Sequence, residues 1–223
     1  MTDRPDLLRD AAARDEADLS ALRSAARSCT ACDLYRNATQ TVFGAGGEEA
    51  ELMLVGEQPG DREDIAGEPF VGPAGRLLDE ALDAAGIDRR LVYVTNVVKH
   101  FKWRRAPSGK RRIHQKPDRA EIQACRPWLE GELARVRPRL VVCLGATAAQ
   151  ALIGPGFRVT REHGVVMPSE LGTPAIGTIH PSAVLRARSE EERRAGFEGL
   201  VADLRTARLH LEANVAGAVI PPA

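Results

Sequence analysis

One imidazole sits inside a knot of cations. From Lys110 to Pro117 the chain reads Lys-Arg-Arg-Ile-His-Gln-Lys-Pro, with His114 as its histidine. Between Lys99 and Arg119 nine Lys or Arg stand against a single acid, Asp118, in a chain whose 31 basic and 31 acidic residues cancel. The positive charge is therefore local. It concentrates the binding energy for a polyanion at one spot, and nucleic-acid phosphate is the obvious polyanion. Lys110, Arg111 and Arg112 are the candidates to grip phosphate or hold the loop closed. Arg and Lys can only hold phosphate, whereas a neutral imidazole can act as base, ligand or nucleophile near pH 7. The plain alternative is a solvated basic loop with an incidental histidine, the usual fate of a charge run.

A second constellation is the full complement of cysteines: Cys29, Cys32, Cys125 and Cys143. A reducing cytoplasm disfavours pairing them as disulfides. The Cys29-Thr30-Ala31-Cys32 turn can present two thiolates to one centre, and the fold must deliver the other two. Four thiolates suit structural zinc or an iron–sulfur cluster equally. Four unrelated buried thiols remain the alternative, because Cys143 lies within the apolar run Leu140 to Leu144.

The elements that position these groups follow from length and periodicity. A chain of 223 residues with 43% hydrophobic content can bury one core, and a single α/β domain over 1–223 is expected, with flexible ends at 1–15 and 214–223. No segment approaches a transmembrane run. Residues 1 to 20 are acid-rich and lack the apolar core of a signal peptide, so a cytoplasmic monomer is expected. Helical spacing places helices over Asp15 to Ser28, Ala74 to Ala85, Asp118 to Val136, Ala146 to Leu152 and Glu190 to Ala213. Four short apolar runs predict strands: Glu51 to Gly56, Leu91 to Thr95, Arg139 to Leu144 and Ala175 to Ile179.

Polar residues follow these strands. Glu57-Gln58-Pro59-Gly60-Asp61 follows the first, Asn96 and then the basic loop follow the second, and His180 follows the fourth. In a parallel sheet such ends share one edge, where α/β proteins bind ligands. The convergence predicts a pocket with two histidines, an amide, carboxylates and the aromatic Phe70 beside a cationic rim. A flipped nucleobase suits it: Phe70 to stack, Asn96 to read a base edge, the rim to hold phosphate.

The motifs GEQPG (56 to 60), EPFVGPAG (68 to 75), TNVVKH (95 to 100) and HPSAVLR (180 to 186), with the four cysteines, resemble the uracil-DNA glycosylase superfamily, nearest its iron–sulfur family four. Gln58, where alanine is usual, and the KRRIHQK insertion (110 to 116) are similar to the UdgX subfamily, whose members become covalently attached to uracil-containing DNA through the loop histidine. The resemblance implies a three-layer αβα fold with a central, mostly parallel four-stranded sheet. It implies a 4Fe-4S cluster on Cys29, Cys32, Cys125 and Cys143, of structural rather than redox purpose. It implies uracil-containing DNA, single-stranded DNA included, as substrate and free uracil as product.

The resemblance also distributes roles. His180 donates to the leaving uracil anion, an oxyanion-hole task. Asn96, Gly56, Gln58 and Phe70 bind the base. His114 is the nucleophile that meets the sugar cation, Glu57 polarises it, Asp61 shares that task, and Gln58, a poor base, orients the imidazole. Ser182 and Arg186 are further phosphate contacts, since a helix starting after Pro181 would present backbone N–H groups there. Two rivals stand beside this reading: a conventional hydrolytic, multiple-turnover glycosylase, and a non-catalytic iron–sulfur protein that binds single-stranded nucleic acid.

Overall fold

The computed structural model describes residues 18–107, 109 and 111–216, the last stretch 214–216 by backbone alone. Lys110 and both chain ends, named above as a phosphate contact and as flexible segments, lie outside the described residues except for 214–216, which continue the last helix.

Five strands form the central sheet: β1 (Leu52–Gly56), β2 (Val92–Asn96), β5 (Leu140–Leu144), β6 (Val166–Met167) and β7 (Ala175–Thr178). Their order is β2-β1-β5-β7-β6, parallel except for the β6–β7 pair. The fifth strand corrects the four-stranded expectation. At two residues, β6 is too short to show any alternation.

The strands are buried on both sides, as a sheet covered by helices requires. Met53, Val55, Val141 and Cys143 face a layer made by α1 (Leu19–Ala26), α4 (Arg119–Val136) and α5 (Ala146–Leu152). Leu52, Leu54, Leu140, Val142 and Leu144 face the opposite layer of α3 (Pro73–Ala85), α7 (Pro181–Leu185) and α8 (Glu190–Ala216). Local signals explain the helix limits. Helix α3 begins with Pro73 behind Gly72 and stops at Gly86, whose φ of 75° is the left-handed conformation glycine tolerates. Helix α4 opens on a capping box in which Asp118 and Glu121 satisfy each other's backbone N–H.

Several short elements were not legible as such. The segment after Pro59-Gly60 is a short helix, α2 (Asp61–Ala66). The basic loop is a hairpin, β3 (Trp103–Arg105) against β4 (Arg112–His114), with His114 opposite Trp103. A further short helix, α6 (Val159–Glu162), precedes β6.

The deepest polar feature joins β2 to α4. Lys99 and Glu132, 1% and 0% exposed, meet at 2.5 Å. Lys99 Nζ also donates to Thr95 Oγ1 and to the Asn96 carbonyl. Glu132 accepts from Gly44 N–H, Tyr93 Oη and Thr95 Oγ1. Every polar atom of the pair is thus supplied with partners, which is what makes a buried ion pair tolerable.

Lys99→Met strips Glu132 of its counter-charge and is expected to cost about 3–5 kcal/mol. A fall in the urea midpoint at constant m-value checks this, and Lys99→Met/Glu132→Leu should recover only part of the loss, because Gly44 N–H, Tyr93 Oη and Thr95 Oγ1 then lack their acceptor.

Candidate active site

The carboxyl ends of β1, β2, β5 and β7 open into a cavity of about 580 Å³. Strand order reverses between β1 and β5, the position where parallel α/β sheets leave a crevice. Its walls include Glu57, Asn96, His114, Thr147, His180 and Phe70. Groups far apart in sequence and expected at one sheet edge are there together.

His114, half exposed at the cavity mouth, lies with Nε2 3.3 Å from Glu57 Oε1. The other oxygen of Glu57 accepts from Thr147 Oγ1, at the start of α5. Burial pushes the Glu57 carboxyl up, but hydrogen bonds from His114 and Thr147 and the nearby His114 and His180 outweigh it, leaving the group below its ordinary value. An ionised carboxylate can only accept, so the imidazole nitrogen facing it is one that carries a proton. Thr147 was missed in the sequence, although its place just after β5 follows the same strand-end rule that found Asn96 and His180.

Gln58 departs from expectation. Its amide does not bond the His114 ring: Nε2 donates to the carbonyls of Lys102 and Gln115, and Oε1 accepts from Lys102 N–H. The side chain staples the base of the β3–β4 hairpin and is only 7% exposed. Asp61 also leaves the imidazole alone. It is exposed on α2 and pairs with Arg112.

His180 stands at the cavity as the cap of α7. Its Nδ1 receives the Ser182 backbone N–H at 3.1 Å and lies 2.8 Å from Ser182 Oγ. A backbone N–H can only donate, so Nδ1 is unprotonated and the remaining proton sits on Nε2 as a donor. Burial pushes the imidazole down to about 4, against the opposing pull of Glu57. The site therefore holds a neutral imidazole with one aimed N–H. Ser182 and Arg186 line the same cavity, but the Ser182 backbone N–H is already given to His180 and is not free for phosphate.

Gly56, Phe70 and Asn96 define one wall by exclusion. A Cβ on Gly56 would stand 2.4 Å from Asn96 Oδ1 and 2.8 Å from the Phe70 ring. Phe70 itself has φ 59°, a conformation costly for an aromatic residue. Gly75 makes room for it, because a Cβ there would meet the Phe70 carbonyl at 1.6 Å. The ring stands 6.3 Å from that of His180, at an interplanar angle of 26°.

Of the cationic candidates, Arg111 is exposed and available to phosphate. Arg112 is not: it is turned inward onto Asp61 and Asp64.

Cys29, Cys32 and Cys125 act on one another electrostatically. Trp128 Nε1 donates to Cys29 Sγ and Lys99 N–H to Cys125 Sγ, both at 3.2 Å. Such N–H···S bonds suit thiolates that bind a metal or cluster. Cys143 lies in the middle of β5, where burial pushes its thiol up to about 12. It shares one core cluster with Cys125, against which Cys29 and Cys32 pack. The four thiols are of the type that holds zinc or an iron–sulfur centre, while among the described residues no three His, Cys, Asp or Glu side chains stand in ready metal-holding geometry.

Residues 43–205 match the family described as the uracil DNA glycosylase superfamily. The chain is 38% identical over 179 residues to a type-4 uracil-DNA glycosylase of Archaeoglobus fulgidus, covering 77% of this chain and 85% of that protein. It is 39% identical over 175 residues to one of Thermotoga maritima, covering 78% and 86%. A type-5 uracil-DNA glycosylase of Pyrobaculum aerophilum matches over 99 residues at 35% identity, covering 44% and 39%.

Two outcomes are expected. The folded-state value of His180, about 4, lies below the ordinary 6.5. The stability it confers is therefore complete above 6.5 and is lost as pH falls from 6.5 towards 4. Its NMR ring signals should stay flat from about pH 8 to about pH 5. In metal analysis, any iron bound by the purified wild type should be lost in Cys125→Ala, whose sulfur the Lys99 backbone N–H orients.

Proposed function

This chain belongs to the uracil-DNA glycosylase superfamily and acts on uracil in DNA, and we propose that its turnover ends with His114 bonded to C1′ of the sugar it has stripped. The observation that carries this reading is the His114–Glu57 contact at the cavity mouth, on a hairpin whose base Gln58 holds shut.

The chemistry runs through this chain's own groups. Uracil enters the cavity with Phe70 at its face and Asn96 at its O4 and N3 edge. As the C1′–N1 bond breaks, uracil leaves with the electron pair, and the Nε2–H of His180 meets the charge growing on O2. A neutral imidazole suits this task, since it donates without first having to lose solvation as a cation. The sugar becomes an oxocarbenium ion. The unprotonated nitrogen of His114 gives its lone pair to C1′, and the proton on the other nitrogen passes towards Glu57. The product is a neutral imidazole–sugar adduct with all atoms accounted for.

Ordinary hydrolysis needs a base to direct water, and the side chain at position 58 is an amide with its hydrogen bonds already spent on Lys102 and Gln115. The adduct is consequently the end of the sequence rather than an intermediate. This is the behaviour of the UdgX subfamily, to which Gln58 and the Lys110–Lys116 insertion are similar. A 4Fe-4S cluster with Cys29, Cys32 and Cys125 among its ligands would supply a cross-link between the segment after α1 and helix α4. No proton or nucleophile in the reaction comes from it.

Stoichiometric protein mixed with a uracil-containing single strand, boiled in detergent and run on a denaturing gel, should show a shifted band absent with thymine. His114→Ser should abolish the band, and Glu57→Gln should slow its appearance by about 10²-fold or more, the usual worth of a group assisting proton transfer. Uracil released beyond one equivalent with no shifted band would favour the hydrolytic enzyme. Equal binding of uracil and thymine strands without base release would favour a binding protein.

A further inference from the structure

Among the described residues of the 110–116 insertion, Arg112 is the cation whose charge is spent inside the protein. Its Nη1 is 2.6 Å from Asp64 Oδ2 and 3.2 Å from Thr39 Oγ1. Its Nε donates to Asp61 Oδ1 and its Nη2 to the Asp61 carbonyl at 3.2 Å. Asp64 has no exposed surface, and it also accepts from Thr39 N–H and Oγ1. The guanidinium plane is covered by two rings, with Cζ 5.4 Å from the centroids of both Phe101 and Trp103. A phosphate would have to displace a buried carboxylate to reach it.

The placement matters because of strand period. In β4, Arg112 and His114 are two residues apart and project from the same side of the hairpin. Phe101 touches both, lying 6.1 Å from the His114 ring. The carboxylates that hold Arg112 belong to α2, the helix that directly follows Glu57 and Gln58. Two-stranded hairpins are marginal alone. An anchor on the nucleophile's own strand and face therefore fixes where the imidazole stands.

We propose that the Arg112–Asp61–Asp64 latch is a positioning device that decides the fate of the sugar cation, holding His114 close enough to capture it before water does. The proposal rests on the capture reading above and adds its determinant. With the latch intact, the imidazole nitrogen bonds C1′. With it open, water adds its oxygen to C1′ of the cation already formed and gives its proton to Glu57, which His114 then no longer engages, and a free abasic strand leaves.

The test compares wild type, Arg112→Met, Arg112→Lys and Asp61→Asn on a uracil-containing single strand, scoring released uracil, adduct and protein-free abasic strand separately. A displacement of about 1 Å can cost on the order of 10²-fold, so Arg112→Met should slow adduct formation about 10- to 100-fold and divert product to free abasic strand. Uracil release should stay within about threefold, because the base-binding wall is untouched. Arg112→Lys keeps the charge but not the fork and should fall between. Asp61→Asn, a substitution at an exposed carboxylate, should shift the partition the same way and guards against a folding defect. Affinity for a thymine strand and its salt dependence should not change in Arg112→Met, whereas loss of a phosphate contact would flatten the log–log salt slope by about 0.7.

Equal losses of uracil release and adduct in both Arg112→Met and Asp61→Asn, or an unchanged partition, overturn the latch while leaving capture by His114 intact. A flattened salt slope returns Arg112 to the phosphate-binding set. Absence of adduct in the wild type sinks the capture reading itself.

Discussion

A salt bridge with almost no access to water governs how this molecule is put together. Lys99 and Glu132 are costly to bury and are tolerated because each finds several partners. Those partners belong to the parts the site needs held. The ammonium holds the carbonyl of Asn96, whose side chain faces the base pocket. The carboxylate ties the Gly44 loop and the Tyr93 and Thr95 side chains of β2 to helix α4. Lys99's own backbone N–H reaches the Cys125 sulfur. One buried charge pair thus lies between Asn96 at the sheet edge and the Cys125 sulfur.

Around that scaffold the two functions divide by construction. The groups assigned to uracil binding stand on strand ends and on the loops next to them, where backbone and packing leave little freedom: Gly56 has no room for a side chain, and the His180 tautomer is set by a main-chain donor. The group assigned to capture stands on a short hairpin outside the main sheet. What holds that hairpin is side-chain chemistry: the Gln58 amide at its base, the Arg112 fork on its edge, and Trp103 Nε1 donating to the Asn37 carbonyl. A rigid pocket and an attached arm can vary separately.

The sheet-edge arrangement is legible in the sequence because apolar runs such as Leu52 to Val55 and Leu140 to Leu144 are unmistakable, and the residues following parallel strands must meet. Glu57, Asn96 and His180 came from that rule alone. The hairpin was not readable: Trp-Arg-Arg and Arg-Ile-His carry no alternation, and a cluster of cations looks like solvated surface. Nor could the sequence show that Gln58 would bond main-chain atoms, since a backbone partner leaves no residue type to recognise. Arg112 was half understood, as phosphate grip or loop clasp, because charge is visible in a sequence and its partner is not.

The hairpin histidine has a kinetic meaning as well as a geometric one. A nucleophile carried on the protein competes with solvent through its effective molarity, which for well-aligned intramolecular reactions reaches on the order of 10⁵ M or more. Bulk water is far more dilute than that. A sugar cation formed beneath His114 therefore meets an environment in which the most concentrated nucleophile is a single side chain, and the advantage persists only while the arm stays registered with the pocket. Seen this way, the difference between an enzyme that turns over and one that is consumed by its first substrate is a difference in local concentration, set by how firmly a few residues are tied down.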